Sequence, residues 1–287
     1  MTRFAVLISV SVAVCAGMSG CQFGEPVRTT HENPFLQPLN LGESGVSFEV
    51  FLVRIAQDDA EQNAALWTDI DEQQLPTNLR RQWEANGLRV GLVGGQLPSK
   101  LAQMLDQSKS ADGPKRPVSS DPRPTVTRSV IHLIEGNRNE IVASSSQTQL
   151  PLVINEDGQL RGKTYEAAQA QFGFKAFSQP DGRVRLEIVP EVEYGESRPH
   201  YVGEDGAFRL DASRPKQAFE KLTVEAKLSP GQLLVLGHSF DRPGSLGYHF
   251  LTEEVNGHRE TKLVVIRIGQ QQRDDLFSDV KPKKPAE

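Results

Sequence analysis

Five turn signals cut the second half of the chain into short pieces. Glu156-Asp157-Gly158, Pro180-Asp181-Gly182, Glu204-Asp205-Gly206, Ser229-Pro230-Gly231 and Asn256-Gly257 each separate runs of alternating apolar and polar residues. Glycine enters the left-handed region without a Cβ penalty, and Asp or Asn before it stabilises the same turn, so such dipeptides close β-hairpins. The runs between them, at 125–134, 140–147, 150–154, 165–178, 183–194, 207–211, 218–228, 232–238, 247–252 and 261–268, are expected as strands. The fold class expected is mainly β with a small α/β N-terminal part, arranged as an antiparallel sandwich or open barrel.

Composition narrows the class further. The chain has 287 residues, 37% hydrophobic and 24% charged, a net charge of −5 and two cysteines. Those figures exclude a disulfide mini-protein, a polytopic membrane protein and a strongly basic nucleic-acid binder. A chain of this size buries about 75% of its unfolded surface, so its core needs neither metal nor disulfide.

The first twenty residues differ from the rest. Arg3 opens a basic n-region, residues 4–16 are apolar and uncharged, and Gly17-Met18-Ser19-Gly20-Cys21 follows. Residues 1–20 therefore read as a secretory signal peptide, its apolar run well short of the roughly 20 residues that span a bilayer. Met18-Ser19-Gly20-Cys21 resembles the bacterial lipobox, with Met18 where leucine is usual. The resemblance implies acylation of Cys21 and cleavage before it, and several acyl chains give stable anchoring. Cys15 follows Val14, is the poorer candidate and leaves with the leader. Gln22 resembles a residue that permits outer-membrane sorting. The localisation expected is the cell envelope, lipid-anchored at the outer membrane and facing the periplasm.

Residues 21–45, punctuated by Pro26, Pro34 and Pro38, read as a tether. Residues 46–106 read as a small α/β region with strands at 46–55 and 88–93 and helices near 60–67, 72–85 and 97–105. Four prolines at 114, 117, 122 and 124 mark 107–124 as an exposed linker. The β domain occupies 125–269, and 270–287 reads as a disordered polar tail.

Three segments of the β half, in order, resemble the core module of bacterial secretins, the ring-forming outer-membrane channels of secretion and pilus systems. Residues 182–194 (GRVRLEIVPEVEY) resemble that family's strand ending in I-x-P-E-V, 219–238 (FEKLTVEAKLSPGQLLVLGH) resemble its hairpin turning at G-Q, and 259–268 (RETKLVVIRI) resemble its closing strand. Tyr165 to Phe177, with Gly173 inside, sits where secretins carry a Y-x-x-V-G-x-x-L strand, and Val50 to Ile55 where the module opens. Between hairpin and closing strand, however, this chain has Phe240-Asp241-Arg242-Pro243-Gly244-Ser245-Leu246-Gly247 and little else of the family's proline-rich stretch. Residues 56–105 read as helix, turn and helix rather than membrane-wall strands. The resemblance thus implies a secretin-like fold that lacks the pore.

Candidate chemistry is sparse. Gly237-His238-Ser239-Phe240-Asp241 begins like the Gly-x-Ser-x-Gly nucleophile elbow, with His249 and His258 nearby, but Asp241 replaces the second glycine and Arg242-Pro243-Gly244 breaks any following helix. The six histidines, at 31, 132, 200, 238, 249 and 258, form no ligand pair, so no metal and no cofactor is expected. Asp157, Asp181 and Asp205 are turn residues without the calcium-loop pattern, and Gly91, Gly94 and Gly95 lack the Lys-Ser/Thr of a phosphate loop. Arg80, Arg81 and Arg89 read as a solvated face, Trp67 and Trp83 as core anchors. Asn86 to Gly91 stands apart without an assigned role. The expected function is that of a non-enzymatic lipid-anchored envelope protein that acts through protein contacts, with an unknown envelope protein or a second copy as partner, and with no nucleic acid. A short channel subunit and a periplasmic hydrolase using Ser239 are the alternatives.

Overall fold

Residues 50–53 are apolar at four successive positions within 46–55, a pattern suited to a strand covered on both faces. In the computed structural model, which describes residues 45–56, 60–94, 96–106, 125–204, 207–239, 242–255 and 257–272, this run is β1 (Gly45–Ala56), inside an antiparallel sheet. The helices α1 (Ala60–Thr68), α2 (Thr77–Ala85) and α3 (Ser99–Asp106) and the strand β2 (Leu88–Val93) follow. Beyond residue 125 come β3 (Val126–Ile134), β4 (Arg138–Val142), β5 (Gln147–Glu156), β6 (Gln159–Ser178) and β7 (Val184–Glu193). Next are β8 (Arg198–Glu204), β9 (Ala207–Ser213), β10 (Lys216–Ala218), β11 (Val224–Leu228) and β12 (Leu233–His238). The short helix α4 (Leu246–Leu251), β13 (Thr252–Val255) and β14 (His258–Gln272) complete the order.

Two six-stranded sheets result. The first has the order β2-β12-β14-β1-β3, with β13 also on β14; the second has the order β10-β7-β6-β4, with β11 on β7 and β5 on β6. All these strand pairs are antiparallel, and neither sheet closes into a barrel among the described residues. The hairpin β8–β9 forms a two-stranded sheet of its own.

The sheets pack face to face. Phe48 and Val50 of β1, Val264 and Ile266 of β14, and Leu234 and Leu236 of β12 share one core with Phe172 and Phe174 of β6 and Leu186 and Ile188 of β7. The Phe48 and Phe174 rings meet edge to face at 5.9 Å across the interface. Burying each such side chain stabilises the fold by about 1.5–3 kcal/mol. The opposite side of the first sheet is covered as well: Phe51, Val53, Val235 and Val265 pack with Leu66 and Trp67 of α1 and Leu101 and Leu105 of α3. Helices, sheet and sheet thus form three layers. The second sheet's outer side is polar, with Lys216–Glu140 and Arg138–Glu191 ion pairs crossing it above Gly173, where a Cβ would collide with Glu191 and Arg138.

Several expectations are corrected. Residues 247–252 are not a strand: Leu246–Leu251 is helical, its start capped by Ser245 Oγ, which accepts from Tyr248 N at 3.3 Å. The run 218–228 is broken by a 3-10 turn at Glu220–Leu222, where Phe219 N donates to Pro190 O and the Leu222 carbonyl turns to accept from Trp83 Nε1 at 2.7 Å. Helix α2 starts at Thr77 rather than 72, because Asp71 pairs with β2 instead. The strand at 140–147 ends at Val142, and the chain corners at Ser144, whose Oγ accepts from Ala170 N at 2.9 Å. Gln270 to Gln272 belong to β14 rather than to the tail. The 46–106 stretch supplies β1 and β2 to the same sheet as β12 and β14, so the break at 107–124 is one of composition and does not divide that sheet. The signal peptide, the 107–124 linker and the rest of the tail lie outside the described residues, as does the tether up to residue 44.

Candidate functional site

A sheet edge is a row of backbone donors and acceptors, and what covers it decides whether another chain can pair there. The first sheet ends in β2 on one side and β3 on the other. β2 is covered. Asp71 N donates to Leu92 O and Leu92 N to Asp71 O, both at 2.9 Å, and Ile70 lies over Gly91 so closely that a Cβ there would strike it. Arg89 of β2 adds a two-pronged hydrogen bond to Glu72, at 3.0 and 2.8 Å, and its guanidinium lies 4.2 Å from the centre of a Trp67 ring.

β3 is not covered by any described strand on its outer side. Arg54 N donates to Thr125 O at 2.8 Å, so residues 54 and 125 form a hydrogen-bonded pair and the register alternates from there. Val126, Arg128, Val130, His132 and Ile134 then direct their N–H and C=O groups away from β1. This edge runs nine residues without proline or bulge, with Val130 49% and Ile134 37% exposed. Glu49 of β1 steadies it, pairing with Arg128 of β3 and with Arg267 of β14. Burial pushes the Glu49 carboxyl up, but the hydrogen bonds from Arg128 and Arg267 outweigh that and hold it below the ordinary carboxylate value. The arginine-clamped ladder fixes β3 against β1, and among the described residues no further strand pairs with its outer side.

The residues singled out from sequence are scattered. Cys21, the predicted lipid site, lies outside the described residues. Ser239 follows β12; its N–H donates to Gly87 O at 2.8 Å, and it lines a recess of about 290 Å³ with Glu72, Arg80, Trp83, Glu84 and Arg89, no histidine being among the described lining residues. His238 is buried opposite Leu88 of β2, and burial pushes its pKa down to about 4. His249 is half-buried in α4 against the Tyr248 ring, its pKa also lowered by burial. Asp241 and the His258 side chain are not described. Of the turn aspartates, Asp157 pairs with Lys221 at 2.6 Å and Asp181 with Arg183, while Asp205 lies outside the described residues. Among the described residues no three potential ligands gather around a metal position. Trp67 and Trp83 are both core side chains.

Sequence reasoning left Asn86 to Gly91 without a role, and the structure supplies one. Asn86 is fully buried at the end of α2: its Nδ2 donates to Gln82 O and Asn155 O, at 2.9 and 3.0 Å, and its Oδ1 accepts from Asn155 N at 2.8 Å. Its carbonyl accepts from Gly247 N, and Gly87, at φ +71°, presents its carbonyl to Ser239 N. One dipeptide therefore ties α2 to β5, α4 and the end of β12. The Asn-Gly pair after a helix was the available signal, but its partners are remote in sequence.

No protein-family description matches this chain, and no curated protein does. Among solved structures it is similar to secretins. It shows 12% identity to a chain of the ETEC pilotin–secretin AspS–GspD complex, covering 82% of this chain and 50% of that one, with a TM-score of 0.25. It shows 14% identity to the type II secretin GspD of enteropathogenic Escherichia coli, covering 82% and 71%, with a TM-score of 0.27. Against the secretin-domain β-barrel of InvG from the Salmonella SPI-1 injectisome the identity is 11%, the coverage 83% and 66%, and the TM-score 0.22. The chain spans half the length of the first of these.

Proposed function

We propose that this chain is a non-enzymatic cell-envelope protein, anchored through acylated Cys21 at the outer membrane and facing the periplasm, that works by protein contact at the open edge of β3. What carries the reading is the contrast within one sheet: β2 is covered by Asp71 and Ile70, whereas β3 leaves a nine-residue edge unpaired among the described residues. A neighbouring strand added there gains main-chain hydrogen bonds from five outward-facing residues. The partner is an envelope protein or a second copy of the chain. Mass measurement of the detergent-extracted protein separates this reading from a channel subunit: the proposal expects a monomer or small complex, and a large symmetric ring overturns it. Metabolic labelling with palmitate is expected to mark the wild type and to be lost in Cys21→Ala; an unlabelled wild type refutes the anchor.

A further inference from the structure

The hairpin β5–β6 repeats the contrast of edges in a form that specifies a ligand. Opposite residues of an antiparallel pair either exchange both hydrogen bonds or direct both pairs of groups outward. On β5, Asn155 N is taken by Asn86 Oδ1, Val153 N donates to Gly244 O at 3.0 Å, and Pro151 has no N–H. These three therefore face away from β6, and their register partners Leu160, Gly162 and Thr164 must face away from β5. The same alternation makes Glu166 face outward, and its carbonyl accepts from Gly195 N at 2.8 Å. From residue 159 to 165, however, β6 has β5 as its one strand partner among the described residues, because β7 joins it only at Gln169. The β5 side of the hairpin is filled; among the described residues the β6 side has no strand partner.

A groove of about 660 Å³ adjoins that open side, bounded by Arg161, Gly162 and Lys163 of β6, by α2, and by the Phe219–Leu222 turn. Ile154, Tyr165, Phe219 and Leu222 give it an apolar floor, each buried. Along β6 the residues on the Tyr165 side grade from aromatic to cationic: Tyr165, then Lys163 with Nζ 4.4 Å from the Tyr165 ring centre, then Arg161. Arg161 pairs with Glu156 at 3.4 Å and Lys221 with Asp157 at 2.6 Å, but Arg81 and Lys163 have no carboxylate partner among the described residues. A Cβ at Gly162 would meet nothing within 4 Å, so a side chain there has room on the face opposite Tyr165.

We infer that this groove binds an extended acidic peptide as an added strand on β6, acidic side chains beside Lys163 and Arg161 and an apolar one beside Tyr165. It rests on the reading that the chain works by protein contact, yet uses a different edge from β3, so either can fail alone. Main-chain groups of Leu160, Gly162 and Thr164 supply the pairing, and the alternation of charge and aromatic surface supplies the sequence preference.

The test is fluorescence anisotropy of the full chain with a labelled, end-capped hexapeptide in which glutamate, glutamate and phenylalanine alternate with threonine, made in both sequence orders, alongside its lysine-for-glutamate counterpart. Saturable binding of one glutamate peptide is expected, at least tenfold tighter than its lysine counterpart. Gly162→Pro removes an N–H that faces away from β5, a position where an edge strand tolerates proline, and should weaken binding at least tenfold. Lys163→Glu should abolish the preference for glutamate, and Glu225→Gln, on the exposed face of β11 and outside the groove, should leave binding of these peptides unchanged. Absence of saturable binding by the wild type, or unchanged affinity in a Gly162→Pro protein with a native circular-dichroism spectrum, overturns the proposal. If Gly162→Pro does not fold, an unaltered glutamate preference in Lys163→Glu overturns it instead.

Discussion

β2 and β3 terminate the same sheet, yet among the described residues the outer side of β2 is bridged by Asp71 and that of β3 meets no strand. The seal on β2 is local: the Asp71 to Glu72 segment folds back, spends its backbone bonds on Leu92 and fixes Arg89 from the side. Glu49 and the Ser129 hydroxyl, which donates to Val50 O, hold β3 to β1 without covering its outer side. The β5–β6 hairpin follows the same logic, with Asn86 and Gly244 sealing one edge and nothing described sealing the other. Exposure alone would not separate these edges; where each N–H and C=O goes does.

The comparison breaks most severely if its sealing elements are removed. Trp83 is fully buried on α2 and also bonds Leu222 O, so Trp83→Ala should cost about 4 kcal/mol and release the helix that carries Asn86. The midpoint of urea unfolding measures this. Acid should act next on the sealed side. The folded-state pKa of His238 lies near 4, below its unfolded value, so the unfolded chain takes the proton first. Stability is then full above about pH 6.5 and falls by up to roughly 3 kcal/mol as pH drops toward 4. A pH series of unfolding midpoints should show that slope, and His238→Gln should flatten it in this window.

Asn86→Ala removes three side-chain hydrogen bonds and leaves the Asn155 backbone without them, an expected cost of about 2 kcal/mol. Hydrogen exchange at the Asn155 amide should accelerate while exchange along β1 stays unchanged. The open edge behaves oppositely. Val130→Lys should alter stability by less than about 0.5 kcal/mol, since the site is half-exposed and at an edge, yet weaken partner association.

Much of this fold was legible in the sequence because alternation and Asp-Gly turns act locally. β3, β7, β9 and β12 lie where the pattern placed them, within a residue or two. Failures came where a remote partner decided the outcome. Gly247-Tyr248-His249-Phe250 alternates like a strand, but Ser245 caps it as a helix and Gly247 N finds Asn86 O, a contact no window of neighbours contains. Leu246 and Phe250, buried four residues apart, carried the helical signal that the aromatic alternation obscured. Neither candidate edge could be read at all. Whether β3 is an edge depends on β1 pairing with β14, which brings the first and last described strands together. Arg161 and Lys163 were visible as charges, but their place on an open strand was not.

The central claim, that β3 rather than β2 meets a partner, is tested most directly by placing a photo-crosslinking amino acid at Val130 or, as the matched control, at exposed Gln73 on the segment covering β2, in the full chain in its native envelope. The account predicts a protein adduct on irradiation from position 130 and none from position 73. No adduct at 130, or adducts of equal yield from both positions, would contradict it.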